Sequence, residues 1–345
     1  MTPDANIEHR HARRSGGRRL ASVDTVTFDV APGVTAIDTF MGGRERYTAA
    51  YLLHADEPTL VETGPGTSVE PVARALDVLG VDPDALAHIV LTHVHLDHAG
   101  GVGALAARFP RSTVWVHERG ARHLANPSRL VESATRVYGE ERMATLFGPV
   151  EAVPAERLRV LGDREALDVG GRSLLALDTP GHASHHLALV DSSTGVVFTG
   201  DALGIHVPDL PVLRPATPPP DFDLELAVAS VERIRGAATS MLLFAHFGPV
   251  ADVDRTCDLA VRRLNEWTDA VRGAMRSTND LDEIVEVLSR EAARETITGA
   301  EAQLDLDRLE TLAGVRMNAT GIQRYLTKRA ERDAEAGRGP SAHAS

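Results

Sequence analysis

The sequence predicts an α/β (α+β) protein in which stacked sheets carry helices on their outer sides, followed by a C-terminal helical appendage. Three observations lead to this fold class. From residue 23 to about residue 250, short apolar runs alternate with helical stretches and are separated by Pro and Gly turn signals. The early runs read as a strand meander, whereas the later strands are mixed with helices. Beyond residue 250 the strand-like runs stop and amphipathic helical patterns take over.

The first half of the chain begins with strands and continues with alternating helices and strands. The stretches TVTFDVAPGVTAIDTF and YTAAYLLHADEPTLVETG predict strands that are interrupted at Pro and Gly. SVEPVARALDVLG predicts a helix that ends at Gly80, and GALAARFP predicts a helix that ends before Pro110. AHIVLT and STVWVH predict short strands. Residues 120–150 are expected to be helical or irregular, with many charges.

The second half returns to strands before it becomes helical. SLLALDT, HHLALVD and GVVFTGD predict three strands, DFDLELAVASVERIRG predicts a helix, and MLLFAHFG predicts the last strand. After that strand, Leu264, Trp267, Val271 and Met275 recur at helical spacing. QLDLDRLETLAG and TGIQRYLTKRAE complete the predicted appendage. The chain is therefore divided into a tail (residues 1–20), a main domain (21–250), a helical appendage (251–332) and a second tail (333–345), both tails being expected to be disordered.

Composition narrows the classes of function. The formal net charge of −13 disfavours nucleic acid as a partner, because polyanions would be repelled. Cys257 is the single cysteine, which excludes an intrachain disulfide and a cysteine-rich zinc site and suits a reducing cytosol. No apolar run is long enough for a membrane helix, and the N-terminal arginines are not followed by an apolar stretch. We therefore expect a cytoplasmic protein that acts on a small molecule, and the sequence gives no oligomeric state.

One cluster of ionisable side chains follows directly on the predicted strand AHIVLT. Residues two apart on an extended strand end face the same side, so His93 and His95 can reach one metal together. Asp97 and His98 come after the chain turns and can reach a second metal nearby. Imidazole and carboxylate are suitable ligands for zinc, iron or manganese. A His-rich loop can also be plain polar surface, but three histidines and an aspartate within six residues favour metal binding.

Three more candidate ligands stand at the ends of later strands. His182 follows LLALDT, Asp201 ends the run VVFTGD, and His246 follows LLFA. Taken singly, such an aspartate is as often a turn or cap residue, and such a histidine is more often a packing residue. Together with the first cluster they provide seven ligands, enough for two metals with room for water.

The order His-x-His-x-Asp-His, then a later His, a Gly-Asp pair and a final His resembles the metallo-β-lactamase superfamily, most of all its glyoxalase II-like branch, over roughly residues 23–250. The resemblance implies an αββα sandwich of metallo-β-lactamase type with two divalent metal ions, expected to be zinc with iron or manganese as alternatives, at one edge of the sheets. It implies that the first ion is bound by His93, His95 and His182, the second by Asp97, His98 and His246, and that Asp201 bridges both.

The resemblance also implies a reaction. A metal-bridging hydroxide would attack the carbonyl of a small acyl substrate, a thioester, ester or lactone, and Asp97 would orient the nucleophile or receive a proton. A second hypothesis is redox chemistry at a single iron held by His93, His182 and Asp201, as in persulfide dioxygenase-like relatives. A third is nucleic-acid processing as in RNase Z-like relatives, and a fourth is a module without activity. The acidic balance disfavours the third, and the complete ligand set disfavours the fourth.

Four further residues border this pattern. Many members of the family have an aspartate in the early strand motif where this chain has Glu62, which is one methylene longer and is not counted as a ligand. His185 and His186 are expected to open a strand, with one side chain packed inward, rather than to serve the site. His206 lies in the long connection after Asp201, where no motif supports a substrate contact.

Overall fold

The computed structural model describes residues 25–206, 212–294 and 302–336. The strands are β1 (Thr27–Ala31), β2 (Val34–Asp38), β3 (Ala49–Leu53), β4 (Thr59–Val61), β5 (His88–Val90), β6 (Thr113–Val116), β7 (Leu158–Val160), β8 (Ala166–Asp168), β9 (Ser173–Asp178), β10 (Leu187–Asp191), β11 (Val197–Gly200), β12 (Ile205–His206), β13 (Leu213–Arg214), β14 (Leu242–Phe244) and β15 (Gly248–Val250). The helices are α1 (Val69–Val78), α2 (Leu96–Ala99), α3 (Val102–Arg108), α4 (Glu118–Ala125), α5 (Ser128–Arg142), α6 (Leu224–Ala237), α7 (Val253–Ala274), α8 (Leu281–Ala292), α9 (Ala302–Leu312) and α10 (Val315–Ala336).

Two large sheets form the middle of the molecule. The first has the strand order β1-β2-β3-β4-β5-β6-β7 and the second the order β15-β14-β11-β10-β9-β8. The first sheet starts as an antiparallel meander and becomes parallel from β4 onwards. A short pair, β12 and β13, lies in the connection that follows β11. The meander and the mixed later part agree with the sequence-based expectation.

Side-chain alternation explains why the two sheets face each other. On β3, Tyr51 and Leu53 belong to the core between the sheets, whereas Leu52 belongs to the core on the other face. On β10 of the second sheet, Leu189 points into the shared core and Ala188 points away from it. Both faces of each sheet are apolar, so both must be covered. This pattern dictates a four-layer arrangement.

Helices cover the two outer faces. Helices α1 and α3 bury Leu76 and Leu105 against the outer face of the first sheet. Helices α6 and α7 bury Val231 and Trp267 in the cluster that covers the outer face of the second sheet. The layers are therefore helix, sheet, sheet and helix, which confirms the predicted αββα sandwich.

The C-terminal helices have no separate core in the described part of the chain. Trp267 of α7, Leu288 of α8 and Ile322 of α10 belong to the same buried cluster as Val197 and Phe244 of the second sheet. The change of character after residue 250 is visible, since β15 ends at Val250 and α7 begins at Val253. The appendage nevertheless completes the outer helical layer of the sandwich.

The C-terminal helix ends at a different residue from the one predicted. Helix α10 continues to Ala336, so the second tail does not begin at residue 333 as predicted. The residues Asp333, Ala334, Glu335 and Ala336 include the good helix formers alanine and glutamate, which favour continuation of the helix. The predicted tail at residues 1–20 and the rest of the second tail lie outside the described residues. Among the described helices, none is long and apolar enough to cross a membrane.

Candidate metal centre

All the predicted ligands follow the carboxyl ends of strands from both sheets. His93 and His95 follow β5, and Asp97 and His98 lie in the first turn of α2 directly after it. His182 follows β9, Asp201 follows β11 and His246 follows β14. We call these seven side chains the metal edge: His93, His95, Asp97, His98, His182, Asp201 and His246.

The structure brings the seven side chains together into overlapping groups. In each of three groups, one ligand atom per residue lies within 4.8 Å of the others, and the groups are His93, His95 and His182; Asp97, His98 and His246; and His93, His98 and Asp201. The first two groups share no residue, and the third connects them. The grouping agrees with two adjacent metal positions.

Asp201 lies between the two groups. Its Oδ2 is 3.5 Å from Nε2 of His182, and its Oδ1 is 3.4 Å from Nε2 of both His98 and His246. Asp97 approaches only the second group, with Oδ2 3.5 Å from Nε2 of His246. Oδ1 of Asp201 is buried and has no hydrogen-bond partner in the described part of the chain. A buried carboxylate oxygen without a donor fits a bound cation.

The outward ring nitrogens fix the orientation of the histidines. Nδ1 of His182 lies 3.0 Å from the carbonyl oxygen of Ala216, and Nδ1 of His246 lies 2.8 Å from that of Tyr47. A carbonyl oxygen only accepts, so Nδ1 carries the proton in both rings and Nε2 presents a lone pair inward. Nε2 of His182 then faces Nδ1 of His95 at 2.9 Å. Converging lone pairs and carboxylates form a donor set that suits a divalent metal ion.

The two groups differ in electrostatics. Burial lowers the pKa of His95 to about 3 and lowers that of His93 well below its usual value, so these rings stay neutral. Burial alone would lower the pKa of His98 as well, but Asp201 and Asp97 outweigh it and raise the pKa well above its usual value. The second group therefore has the stronger negative potential, which attracts a proton or another cation.

Glu62 contacts the metal edge from behind. Oε1 of Glu62 accepts a very short hydrogen bond from the Thr92 hydroxyl and lies 3.7 Å from Nδ1 of His98. The Thr92 hydroxyl is in turn 2.9 Å from Nδ1 of His93. Glu62 is 2% exposed and has a positive φ of 66°, an unusual backbone conformation that places it under the site. The longer side chain thus reaches His98 of the second group directly and His93 of the first group through the Thr92 hydroxyl.

His186 serves the site, contrary to the prediction for the pair His185 and His186. Nε2 of His186 accepts a hydrogen bond from the backbone N–H of Asp201 at 3.0 Å, while Nδ1 is 2.8 Å from the Thr179 hydroxyl. His185 lines the adjacent cavity, with its ring centroid 5.7 Å from that of His95. The predicted inward packing of one side chain is correct for His186, which is 1% exposed. The predicted strand start is wrong because β10 begins at Leu187, after both histidines.

His206 lies away from the metal edge. Its backbone N–H donates to the carbonyl of His246 at 2.8 Å, and its ring packs on Phe244. Arg214, from the same connection, is buried and forms a 2.6 Å ion pair with Glu310 of α9. Asp209, from the same connection, lies outside the described residues. Neither His206 nor Arg214 lines the cavity described next.

A cavity of about 450 Å³ opens beside the metal edge. His95, Asp97, His182 and Asp201 form part of its floor. Its other walls come from α4, α5, residues 216–221 and two side chains of the C-terminal helices, Leu312 and Met317. We call α4 and α5 together with Leu312 and Met317 the roof.

Sequence reasoning did not identify the roof. Tyr138 lines the cavity, and burial together with Asp97 and Asp201 raises its pKa, so its hydroxyl keeps its proton. Arg119, Arg122 and Arg129 also line it. The charge-rich composition of residues 120–150 was the available signal, but no motif marked which charges face the site.

An αββα sandwich with a cluster of histidines and aspartates at one sheet edge defines a class of metal-binding hydrolase folds. The comparison with protein families agrees with this class. A family model described as the metallo-beta-lactamase superfamily matches residues 43–246, which is more than half of the chain. The chain belongs to the metallo-beta-lactamase superfamily.

The sequence relatives have different names, and some of them include the name of this superfamily. The chain is 29% identical to the protein YobT of Bacillus subtilis over 57% of this chain and 81% of YobT. It is 32% identical to the metallo-beta-lactamase fold-containing protein ST1585 of Sulfurisphaera tokodaii over 49% of this chain and 63% of that protein. It is 32% identical to a hydroxyacylglutathione hydrolase of Cronobacter sakazakii over 44% of this chain and 46% of that enzyme. The chain thus spans about half of the length of that hydrolase.

Solved structures show the same fold. The archaeal metallo-beta-lactamase superfamily protein ST1585 superimposes with a TM-score of 0.62 at 22% identity, over 84% of this chain and 98% of that chain. A metallo-beta-lactamase family protein of Thermus thermophilus, TTHA1429, gives a TM-score of 0.61 at 23% identity, over 87% of this chain and 94% of that chain.

Proposed function

We propose that this protein is a metal-dependent hydrolase that cleaves a small acyl substrate, which is a thioester, an ester or a lactone. We propose that it uses two divalent metal ions and that these are zinc. One observation carries the proposal: two ligand groups that share no residue lie on either side of Asp201, at the floor of an open cavity. The first group would be His93, His95 and His182, and the second would be Asp97, His98 and His246.

Metal ions bound there would lower the pKa of a water molecule and polarise the acyl carbonyl. The protein supplies the other requirements. Asp97 is the more exposed of the two carboxylates, with 18% of its side chain accessible against 6% for Asp201. Burial would raise the pKa of Asp97, but His98 and His246 outweigh it and lower that pKa, so the carboxylate stays ionised and can accept a hydrogen bond that orients the nucleophile at the cavity floor. We assign Asp97 this role.

The reaction class follows from the shape of the site and from its relatives. Hydrolysis consumes one water: its oxygen joins the acyl carbon, the bond from that carbon to sulfur or oxygen breaks, and the leaving thiol or alcohol takes a proton. The cavity size falls within the usual range of small-molecule sites. A hydroxyacylglutathione hydrolase among the relatives supports a thioester, although only 46% of that enzyme is matched. The net charge of −13 favours a small molecule over nucleic acid.

Metal content and activity test the proposal together. The full chain is purified without added metal, analysed for elements, and assayed on thioesters, esters and lactones. About two equivalents of zinc per chain and hydrolysis of at least one class are expected. His93→Ala and His246→Ala should each reduce both quantities, whereas His54→Gln, at an exposed histidine outside the site, should change neither.

One result would replace the proposal by the redox alternative. About one equivalent of iron per chain that is lost in His93→Ala but retained in His246→Ala, without hydrolysis of any acyl substrate, would contradict the hydrolase. It would point instead to a persulfide dioxygenase-like oxidoreductase with a single iron.

A further inference from the structure

We propose that the cavity selects an amphiphilic acyl substrate, with an apolar chain on the roof helix α5 and an anionic group on the arginines of α4 and the start of α5. This inference rests on the proposed function, because it names the substrate class of the same site. It is based on two sets of side chains in the roof that line the cavity, one positively charged and the other apolar.

The first set is positively charged. Arg119, Arg122 and Arg129 lie within a short segment and all line the cavity, in a chain whose net charge is −13. None of the three forms an ion pair with a carboxylate of the described residues. Arg119 donates to the Ser184 carbonyl at 3.3 Å and Arg122 donates to His123 at 3.3 Å, so both retain unused N–H donors.

The acidic residues of the lining are already engaged. Asp97 and Asp201 belong to the metal edge. Asp221 accepts hydrogen bonds from the backbone and the hydroxyl of Ser184, at 3.1 Å and 2.6 Å. Arg136, which also lines the cavity, is paired with Glu132 at 2.7 Å. Asp221 keeps its negative charge, but three arginines without ion pairs in the described part of the chain outnumber it, and the excess of positive charge at this wall suits a carboxylate or another anion.

The second set is apolar. Leu130, Ala134, Val137 and Tyr138 follow one another at helical spacing, so they share a face of α5, and all of them line the cavity. Helix α5 has no fully buried residue, and Val137 is 52% exposed. Leu130, Ala134 and Tyr138 also pack in part against a buried cluster that contains Leu146 and Phe147, whereas Val137 does not belong to it. An acyl chain in the cavity would cover Val137 and extend the apolar contacts of this face.

The apolar wall is completed by the C-terminal helices. Leu312 of α9 and Met317 just inside α10 line the same cavity, and the Tyr138 hydroxyl is 3.5 Å from the Met317 sulfur. Helix α5 and the appendage thus close the apolar side together. Unbranched, polarisable Met side chains adapt well to chains of different length. The cavity therefore has an apolar side and a cationic side above one reactive floor.

Binding of a thioether that cannot be hydrolysed tests the inference independently of catalysis. The zinc-loaded full-length protein is titrated calorimetrically with S-octyl-β-mercaptopropionate, with its methyl ester, and with the S-methyl carboxylate. We expect the octyl carboxylate to bind about tenfold more tightly than the ester, because hydrogen bonds to charged groups are stronger than neutral ones. We expect it to bind about a hundredfold more tightly than the S-methyl compound, because several methylenes are buried.

Variants test which side chains cause the preference for the carboxylate and which cause the preference for the long chain. Arg122→Gln/Arg129→Gln should abolish the preference for the carboxylate over the ester and retain the preference for the long chain. Val137→Ser should reduce the chain preference about fivefold and retain the charge preference. Arg111→Gln, at an exposed arginine that does not line the cavity, should change neither.

Either of two results overturns the inference: equal binding of all three thioethers, or a carboxylate preference that survives in the double arginine variant. The latter would mean that the carboxylate binds at the metal edge itself. Failure of the proposed function looks different. In that case the octyl carboxylate would bind as expected, but the zinc-loaded protein would not hydrolyse the corresponding S-octanoyl thioester.

Discussion

At the metal edge, five of the seven side chains are buried, and His182 and His246 each have an outward nitrogen bonded to a backbone carbonyl. In the roof, by contrast, α5 has no fully buried residue, and the cavity-lining arginines of α4 are exposed. The edge is fixed by packing and hydrogen bonds before anything binds. The roof is only partly packed: Leu130, Ala134 and Tyr138 contact a buried cluster on one side, whereas Val137, which lines the cavity, is 52% exposed. We infer that the edge determines the reaction class, whereas the roof determines which substrate is accepted.

Asp201→Asn should have the largest effect, because Asp201 approaches ligands of both groups. We expect loss of at least one metal equivalent and a decrease in kcat/KM of about a thousandfold or more. Elemental analysis and the hydrolase assay measure both. Retention of two metals with nearly normal turnover would show that Asp201 is not essential to the edge.

Arg172→Met should destabilise the fold without changing the metal edge or the roof. Arg172 forms a buried 2.5 Å ion pair with Asp191, and removing one partner of such a pair costs about 3–5 kcal/mol of the free energy of unfolding. Urea denaturation should show this loss equally with and without a chelator. The double variant Arg172→Met/Asp191→Asn should recover most of it, and a loss that depended on metal would contradict the separation of scaffold and edge.

This pair also predicts a pH dependence. Burial would raise the pKa of Asp191, but hydrogen bonds from Arg172, Thr194 and Ser193 outweigh it and lower the pKa below its usual value. The stabilisation is therefore present above the unfolded pKa of about 3.9 and is lost as the pH falls through the lower folded pKa. The difference in stability between wild type and Arg172→Met should narrow as the pH is lowered. A constant difference would contradict the role of the ionised carboxylate.

Glu62→Asp and Glu62→Gln should lower the affinity of the metal edge for metal ions. Shortening the side chain moves it away from Thr92 and His98, and the amide removes the charge near His98. For both variants we expect metal affinity to fall about tenfold to a hundredfold, measured by competition with a chelator. An unchanged affinity in Glu62→Asp would mean that an aspartate at this position supports the ligands equally well.

Asn318→Ala tests a hydrogen-bonded connection between the appendage and the edge. Oδ1 of Asn318 accepts hydrogen bonds from the backbone and the hydroxyl of Thr217, next to Ala216, whose carbonyl orients His182. We expect metal affinity to decrease about tenfold. Asn318→Asp, which keeps the acceptor, should be less affected. Equal affinities in all three proteins would indicate that this contact only stabilises the fold.

Tyr138→Phe should have the smallest effect. The hydroxyl contacts only the Met317 sulfur among the described side chains, at 3.5 Å, while the ring lines the cavity. We expect unchanged metal content and a decrease in kcat/KM of about threefold to tenfold, as for the loss of one neutral hydrogen bond to the substrate. A change in metal content would place Tyr138 with the edge instead of the roof.

The same contrast explains what the sequence could predict. The ligands at strand ends were visible because His93, His95, Asp97 and His98 are neighbours in the chain and the others follow clear apolar strands. The fold followed from short apolar runs that are separated by turn signals. By contrast, β7, β8, β12, β13 and β15 are two or three residues long and do not lie in clear apolar runs.

Supporting residues were harder to find because their partners are distant in sequence. His186 reaches the backbone of Asp201, and Glu62 reaches Thr92, only after the sheets have formed. Thr217 and Asn318 are 101 residues apart. Such contacts are set by tertiary packing and leave no local pattern.

The second sheet shares one buried cluster with α7, α8 and α10, so the appendage is not an independent module. The part of the chain recognisable as the family ends at residue 246, yet Phe244 and Val197 in that part share their core with Trp267 and Ile322 beyond it. A truncation at residue 250 would remove α7, α8 and α10 from this core, expose the apolar side chains that they cover, and would be expected to cause aggregation although α6 remains. Recombination that exchanged the appendage between relatives would have to exchange the matching surface of the sheet with it.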